Sequence, residues 1–306
     1  MKKLIFFIAF VAAAFQIQAQ DQAIFMHYNI SPILVNPAAA GFSDDYNLTL
    51  NFRNQWTGFD GAPFTYAANF HGPIGNTLGL GASILAEDVA SLTRYRFQLN
   101  YAFRYQIQLV KLAAGFSTEF STVRLSNEAM SNKFFEVGDV LLEEFSGGQQ
   151  IFDATLGLMV QVKDATTIGL SFPNLIVAKI SDIVSSDPEG SFFKYFTFYL
   201  GHRFYVREYS LSLEPSLMVR RVQDVPFNLD FNFKAGFLDD KLIAGLSYRS
   251  GLGGALGILL GTEIKPFRIF YSYDVSFQRF QQYNGGSHEV TLAFRFDRGA
   301  GKKKSE

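Results

Sequence analysis

TRYRFQLNYAFRYQIQL, residues Thr93–Leu109, changes character at almost every step. In an extended chain successive side chains point to opposite sides. Tyr95, Phe97, Leu99, Tyr101, Phe103 and Tyr105 therefore share one face, and Arg96, Gln98, Asn100, Ala102, Arg104 and Gln106 the other. The period is two, that of a strand. Its apolar face suits the core of a soluble β-sandwich, or the lipid side of a transmembrane barrel whose polar face lines a lumen. The remainder of the chain decides between them.

The N-terminus supplies an address. MKKLIFFIAFVAAAFQIQAQ carries two lysines, an apolar run from Leu4 to Phe15 and the small residue Ala19, the pattern of a secretory signal over residues 1–19. No later segment approaches the roughly 20 unbroken apolar residues of a transmembrane helix, so a membrane form of this chain is a barrel. The chain has no cysteine, which excludes disulfides, zinc–thiolate sites, cysteine nucleophiles and an acylated lipoprotein cysteine. With 306 residues, 48% hydrophobic, and a formal net charge of -1, nothing points to nucleic acid. Thirty-four Phe and 14 Tyr against one Trp suit pleated, half-buried surfaces.

Period-two segments recur about fourteen times between Asn47 and Phe296, an even number as a bacterial barrel requires. Connections after the even strands are short, such as QIQLVK and LDDK. Those after odd strands include Ser126–Phe152 and Gln278–Ser287. Short periplasmic turns opposite long extracellular loops are a barrel's asymmetry. From Tyr95 to Tyr105 the chain rises about 33 Å, which at a tilt of about 40° covers an apolar band of about 25 Å with tyrosines at both interfaces. Charges keep to the other face: Asp230 and Lys234 oppose Phe231 and Phe233, and Glu289 and Arg295 oppose Val290 and Phe294. The expected fold is all-β, an outer-membrane barrel of fourteen antiparallel strands over residues 46–297. It is preceded by an N-terminal segment, 20–45, and followed by a basic periplasmic tail, 298–306.

Two stretches near the start carry a resemblance. FMHYNISPILVNPAAAG (Phe25–Gly41) and RNQWTGFDGAP (Arg53–Pro63) contain Asn36, Pro37, Ala38, Ala40, Gly41, Arg53, Gln55, Trp56, Gly58, Gly61, Ala62 and Pro63. In these motifs the chain resembles the PorP/SprF family of outer-membrane proteins of the type IX secretion system of Bacteroidetes. The resemblance implies a non-catalytic component of protein secretion, assisting the export or surface anchoring of a large adhesin of the gliding-motility type through its C-terminal domain. The partners implied are that secreted adhesin, other components of the secretion system and outer-membrane lipid. The rival is an outer-membrane channel or hydrophobic-solute transporter.

Physical readings of the same residues leave alternatives open. A fourteen-stranded barrel is too wide for its wall side chains to fill, so the lumen holds water or a plug. The candidates are residues 21–45, held in the periplasmic end of the lumen by the NPAAAG turn, and the loop Ser126–Phe152. Trp56 and Phe59 either pack the barrel mouth or join a partner-binding surface with Phe134, Phe135, Phe145, Phe280 and Tyr283. His27, His71, His202 and His288 fall in no nucleophile–base arrangement, so neither an enzyme nor a cofactor is expected. The glycines around Gly79 and Gly251 open no helix and bring no phosphate-loop lysine; they read as glycine-relieved strands and turns.

Overall fold

The computed structural model describes residues 25–131, 145–176, 178–179, 195–222, 227–251 and 254–297. Phe134 and Phe135, the signal segment and the basic tail lie outside the described residues.

The strands, in chain order, are β1 Tyr46–Asn54, β2 Phe64–Ile74, β3 Leu78–Val89, β4 Leu92–Ile107, β5 Val110–Leu125, β6 Gln149–Val162, β7 Thr166–Phe172, β8 Ala178–Lys179, β9 Phe196–His202, β10 Phe204–Val206, β11 Leu211–Arg221, β12 Asn228–Phe237, β13 Leu242–Ser250, β14 Ala255–Ile264, β15 Phe267–Ser276 and β16 Ser287–Phe296. β8 is a short bridge to β6, and β9 and β10 are one stave interrupted at Arg203. The wall thus has fourteen antiparallel staves. It closes where β1 meets β16, from Tyr46 opposite Phe296 to Asn54 opposite His288. The other side is continuous through β9, which pairs with both β7 and β11.

Within the strand, which ends at Ile107, the opening stretch keeps its alternation. On β4, Tyr95, Phe97, Tyr101, Phe103 and Tyr105 are exposed, while Asn100 and Ala102 are buried on the inner side. The rule holds around the barrel: Phe231, Phe233, Leu246, Ile258 and Leu260 face outward, and Asn51, Ser117, Asp230, Ser272 and Thr291 inward. A surface apolar outside and polar inside inverts a soluble protein and needs lipid as its outer solvent. At the short-turn end the left-handed conformation falls on residues such as Gln108, Lys163, Asp164, Asp239 and Asp240, and on Gly75.

The lumen is filled from within the chain. Residues 25–42 are largely buried and run through three short 3-10 turns, His27–Asn29, Pro32–Leu34 and Pro37–Ala39. The segment is not confined to the periplasmic end. It joins β1 at the short-turn mouth and reaches up to Phe25, which packs on Ala67 and Leu85 in the long-loop half. The reason is the high anchor described below.

The facing predicts that Leu99→Arg, at mid-height on the lipid side of β4, destabilises the barrel by about 2–4 kcal/mol. Gln98→Arg, on the luminal side, should assemble normally. Heat-modifiable migration of the two variants is the measurement, and equal behaviour would contradict the assignment.

Candidate functional site: the filled lumen and the rim above it

The upper anchor is built on Glu289 of β16, whose side chain is 0% exposed. Arg53, on the neighbouring β1, donates to one of its oxygens at 2.9 Å, and Asn51 donates to the other at 2.8 Å. The plug contributes two backbone amides, Met26 N at 2.7 Å and His27 N at 3.1 Å. Arg53 also reaches Asp274 of β15, at 3.2 Å. The His27 ring sits 2.7 Å from the Thr291 hydroxyl and edge-on to Phe270. Burial holds its imidazole below the ordinary histidine pKa, outweighing the pull of Glu289. Arg53 is the cation shared by the Glu289 and Asp274 carboxylates.

The lower anchor is the NPAAAG turn. Asn36 caps its own turn by accepting from Ala38 N at 3.0 Å, and its amide donates to the wall carbonyls of Leu158 and Leu170. Pro37 stands at the first position of that turn, where no amide hydrogen is needed. Gly41 adopts φ +62°; its N–H donates to His71, and its carbonyl accepts from Arg104 at 2.7 Å. The facing wall is notched to receive this backbone. A Cβ on Gly79 would overlap the Ala40 carbonyl, one on Gly115 the Ala38 backbone, and one on Gly157 the Asn36 amide and Pro37 ring. The alternating glycines of β3 are thus relieved on the luminal side, where the plug lies against them.

The rim joins two loops that are far apart in sequence. Thr57 N donates to the Gly286 carbonyl at 2.8 Å, and Gly285 N donates to the Thr57 carbonyl at 2.7 Å. Gly61, at φ +72°, accepts from Ala90 N. Gln55 N donates to the Pro63 carbonyl and closes the hairpin. Trp56 is half-buried with φ +52°, whereas Phe59 is 51% and Tyr283 69% exposed. Phe145 is half-buried beyond β5, and Phe280 belongs to the same 3-10 turn as Tyr283, Arg279–Tyr283.

The four histidines serve separate places: His202 contacts Thr166, and His288 contacts Tyr271. Among the described residues no three His, Cys, Asp or Glu side chains gather as a metal site.

A model of the type IX secretion system membrane protein PorP/SprF matches residues 17–294. The chain belongs to the PorP/SprF family. It is a component of type IX secretion, integral to the outer membrane. No curated protein sequence matches it. Among solved structures, a deltaS2S3 mutant of the monoaromatic hydrocarbon channel TodX shares 11% identity, 90% of this chain, 95% of the other and a TM-score of 0.52. The Pseudomonas putida toluene transporter TodX shares 11%, 89%, 93% and 0.50. The Acinetobacter baumannii outer-membrane protein Omp33 shares 9%, 83%, 99% and 0.48. At such identities the likeness is one of barrel fold. Sequence reasoning placed Arg53, Asn36 and Gly41 in a motif without seeing their partners. It read Glu289 only as luminal and passed over Asn51 and Asp274; their inward positions on β1, β15 and β16 were the available signal.

The purified PorP/SprF protein should pass little current in a planar bilayer. Deleting residues 21–39, or placing Gly115→Val against the Ala38 backbone, should raise it, while Gly147→Val, with open space around it, should not. Glu289→Ala strands the buried Arg53 beside Asp274 alone and should lower barrel stability by about 3–5 kcal/mol, read as earlier heat modification.

Proposed function

We propose that this barrel retains one large secreted protein, of adhesin type, at the cell surface through that protein's C-terminal domain. The observation that carries the reading is the rim. Loops 55–63 and 277–286 are bonded to each other and hold Phe59 and Tyr283 outward above a filled lumen. Aromatic side chains fixed on a braced rim give a partner a large contact area at small loss of conformational freedom. Trp56, Phe145 and Phe280 would extend that surface, together with Phe134 and Phe135 of the loop beyond β5. A plug anchored at two heights favours an attachment role over an open passage. Other components of type IX secretion are the remaining protein partners, with lipid around the wall.

Removing the gene should leave other outer-membrane functions intact while one large surface protein is degraded, trapped or released. Phe59→Asp combined with Tyr283→Asp should reproduce that loss in an assembled barrel, each change weakening attachment by about thirtyfold if it is a hot spot. Surface proteomics of the deletion strain is the check. Normal display of every adhesin together with loss of uptake of a small nutrient would replace this reading with the transporter.

A further inference from the structure

The plug climbs the wall as its residue numbers fall. Gly41 N donates to His71, and the Ala40 carbonyl lies against Gly79, near the short-turn ends of β2 and β3. Asn36 bonds to the carbonyls of Leu158 on β6 and Leu170 on β7. His27 and Met26 donate to Glu289, which follows Ser287, the first residue of β16 at the long-loop end, by two positions. The amino-terminal end of the plug is therefore its outermost part.

Phe25, next in line, packs on Ala67 and Leu85. Ala67 stands three positions from the long-loop end of β2 at Phe64 and seven from its short-turn end at Ile74. At a rise of about 3.3 Å per residue, these separations are about 10 Å and about 23 Å. The expected signal ends at Ala19, which leaves five residues, Gln20–Ile24, ahead of Phe25. Fully extended, such a segment spans at most about 18 Å. It can reach the outer mouth but falls short of the inner one. The inward path is also taken, since Ile33 and Ala38–Ala40 of the plug form one buried cluster with Ala102 and Ala113 of the wall. Composition agrees with an outward course. QDQAI carries two amides and a carboxylate, and cleavage adds an α-ammonium group, all of which favour water over an interior without partners for them.

We propose that residues 20–24 leave the barrel through the long-loop mouth and set the amino terminus of the exported chain on the extracellular surface, beside the rim of loops 55–63 and 277–286. Loop 55–63 follows β1 and loop 277–286 precedes β16, the strand whose Glu289 holds Met26. The chain end and the rim thus share one sector of the mouth, and the α-ammonium group and the Asp21 carboxylate add polar contacts to the surface that carries Phe59 and Tyr283. The placement depends on the course of the plug and the expected signal, and not on which protein the rim holds.

Single-cysteine labelling in intact cells tests it, because the chain has no cysteine of its own. A membrane-impermeant maleimide should label Gln22→Cys to an extent comparable with Tyr283→Cys on the rim. Asn76→Cys, exposed in the short turn between β2 and β3, should be labelled only after the outer membrane is permeabilised. Heat-modifiable migration confirms assembly of each variant, and Asp21→Cys serves if Gln22→Cys does not assemble. Labelling of the amino-terminal cysteine only after permeabilisation would put that end in the periplasm and overturn the proposal. An assembled barrel labelled in neither condition would keep it inside the lumen and overturn the proposal equally. Retention of a surface protein plays no part in this readout, so its failure is distinct from failure of the attachment reading.

Discussion

The Glu289 carboxylate is taken out of water on the inner wall of the barrel, and four hydrogen bonds replace the solvent it lost. Two come from Asn51 and Arg53 on β1 and two from the amides of Met26 and His27 in the plug. A carboxylate has about four acceptor sites, so the group is saturated. Leaving an ion of this kind unpaired inside a protein costs several kcal/mol, and each deleted donor removes part of the compensation. The strand seam that closes the barrel and the segment that fills it therefore share one anion. Withdrawing the plug would leave Glu289 half-satisfied, and loss of the β1–β16 pairing would leave the plug without its upper anchor.

From that constraint the rest of the lumen follows. A chain fixed to the wall near Glu289 and continuous with β1 at the opposite mouth has to cross the interior. Its backbone polar groups must then find partners along the way. Asn36 serves this need at mid-descent by bonding its own turn and the carbonyls of Leu158 and Leu170; Ser171 serves it by donating to the Val35 carbonyl at 2.7 Å. Arg104 serves it at the exit, on Gly41 and Asp44. Close approach of two backbones requires that one wall lack side chains, and Gly79, Gly115 and Gly157 meet that requirement. What remains at the long-loop mouth is a rim of bonded loops, where the proposed attachment surface lies.

The wall was legible in the sequence because period two is a local property: Tyr95 to Tyr105 declare their face without reference to any other segment, and the fourteen staves follow. The interior was less so. Glu289 and Met26 are 263 positions apart, and an inward-facing glutamate on an alternating strand looks the same whether it meets water or an amide. The motif residues Asn36, Gly41 and Arg53 could be named, yet their roles depend on Leu158, His71 and Asp274, which no spacing rule connects to them. Phe59 and Tyr283 were legible as loop aromatics. Their shared rim depends on the Thr57–Gly286 pairing, formed by backbone atoms that carry no sequence signal.

The measurement that bears most directly on the account is cross-linking between plug and wall in the intact outer membrane. The chain has no cysteine of its own, so engineered pairs report without background. Phe25→Cys with Ala67→Cys joins two members of one buried cluster, whereas Phe25→Cys with Phe59→Cys spans lumen to exposed rim. A short thiol-specific cross-linker should join the first pair in most molecules and leave the second unjoined. Failure to join the first pair in an assembled barrel, or equal joining of both, would contradict a plug held high in the lumen.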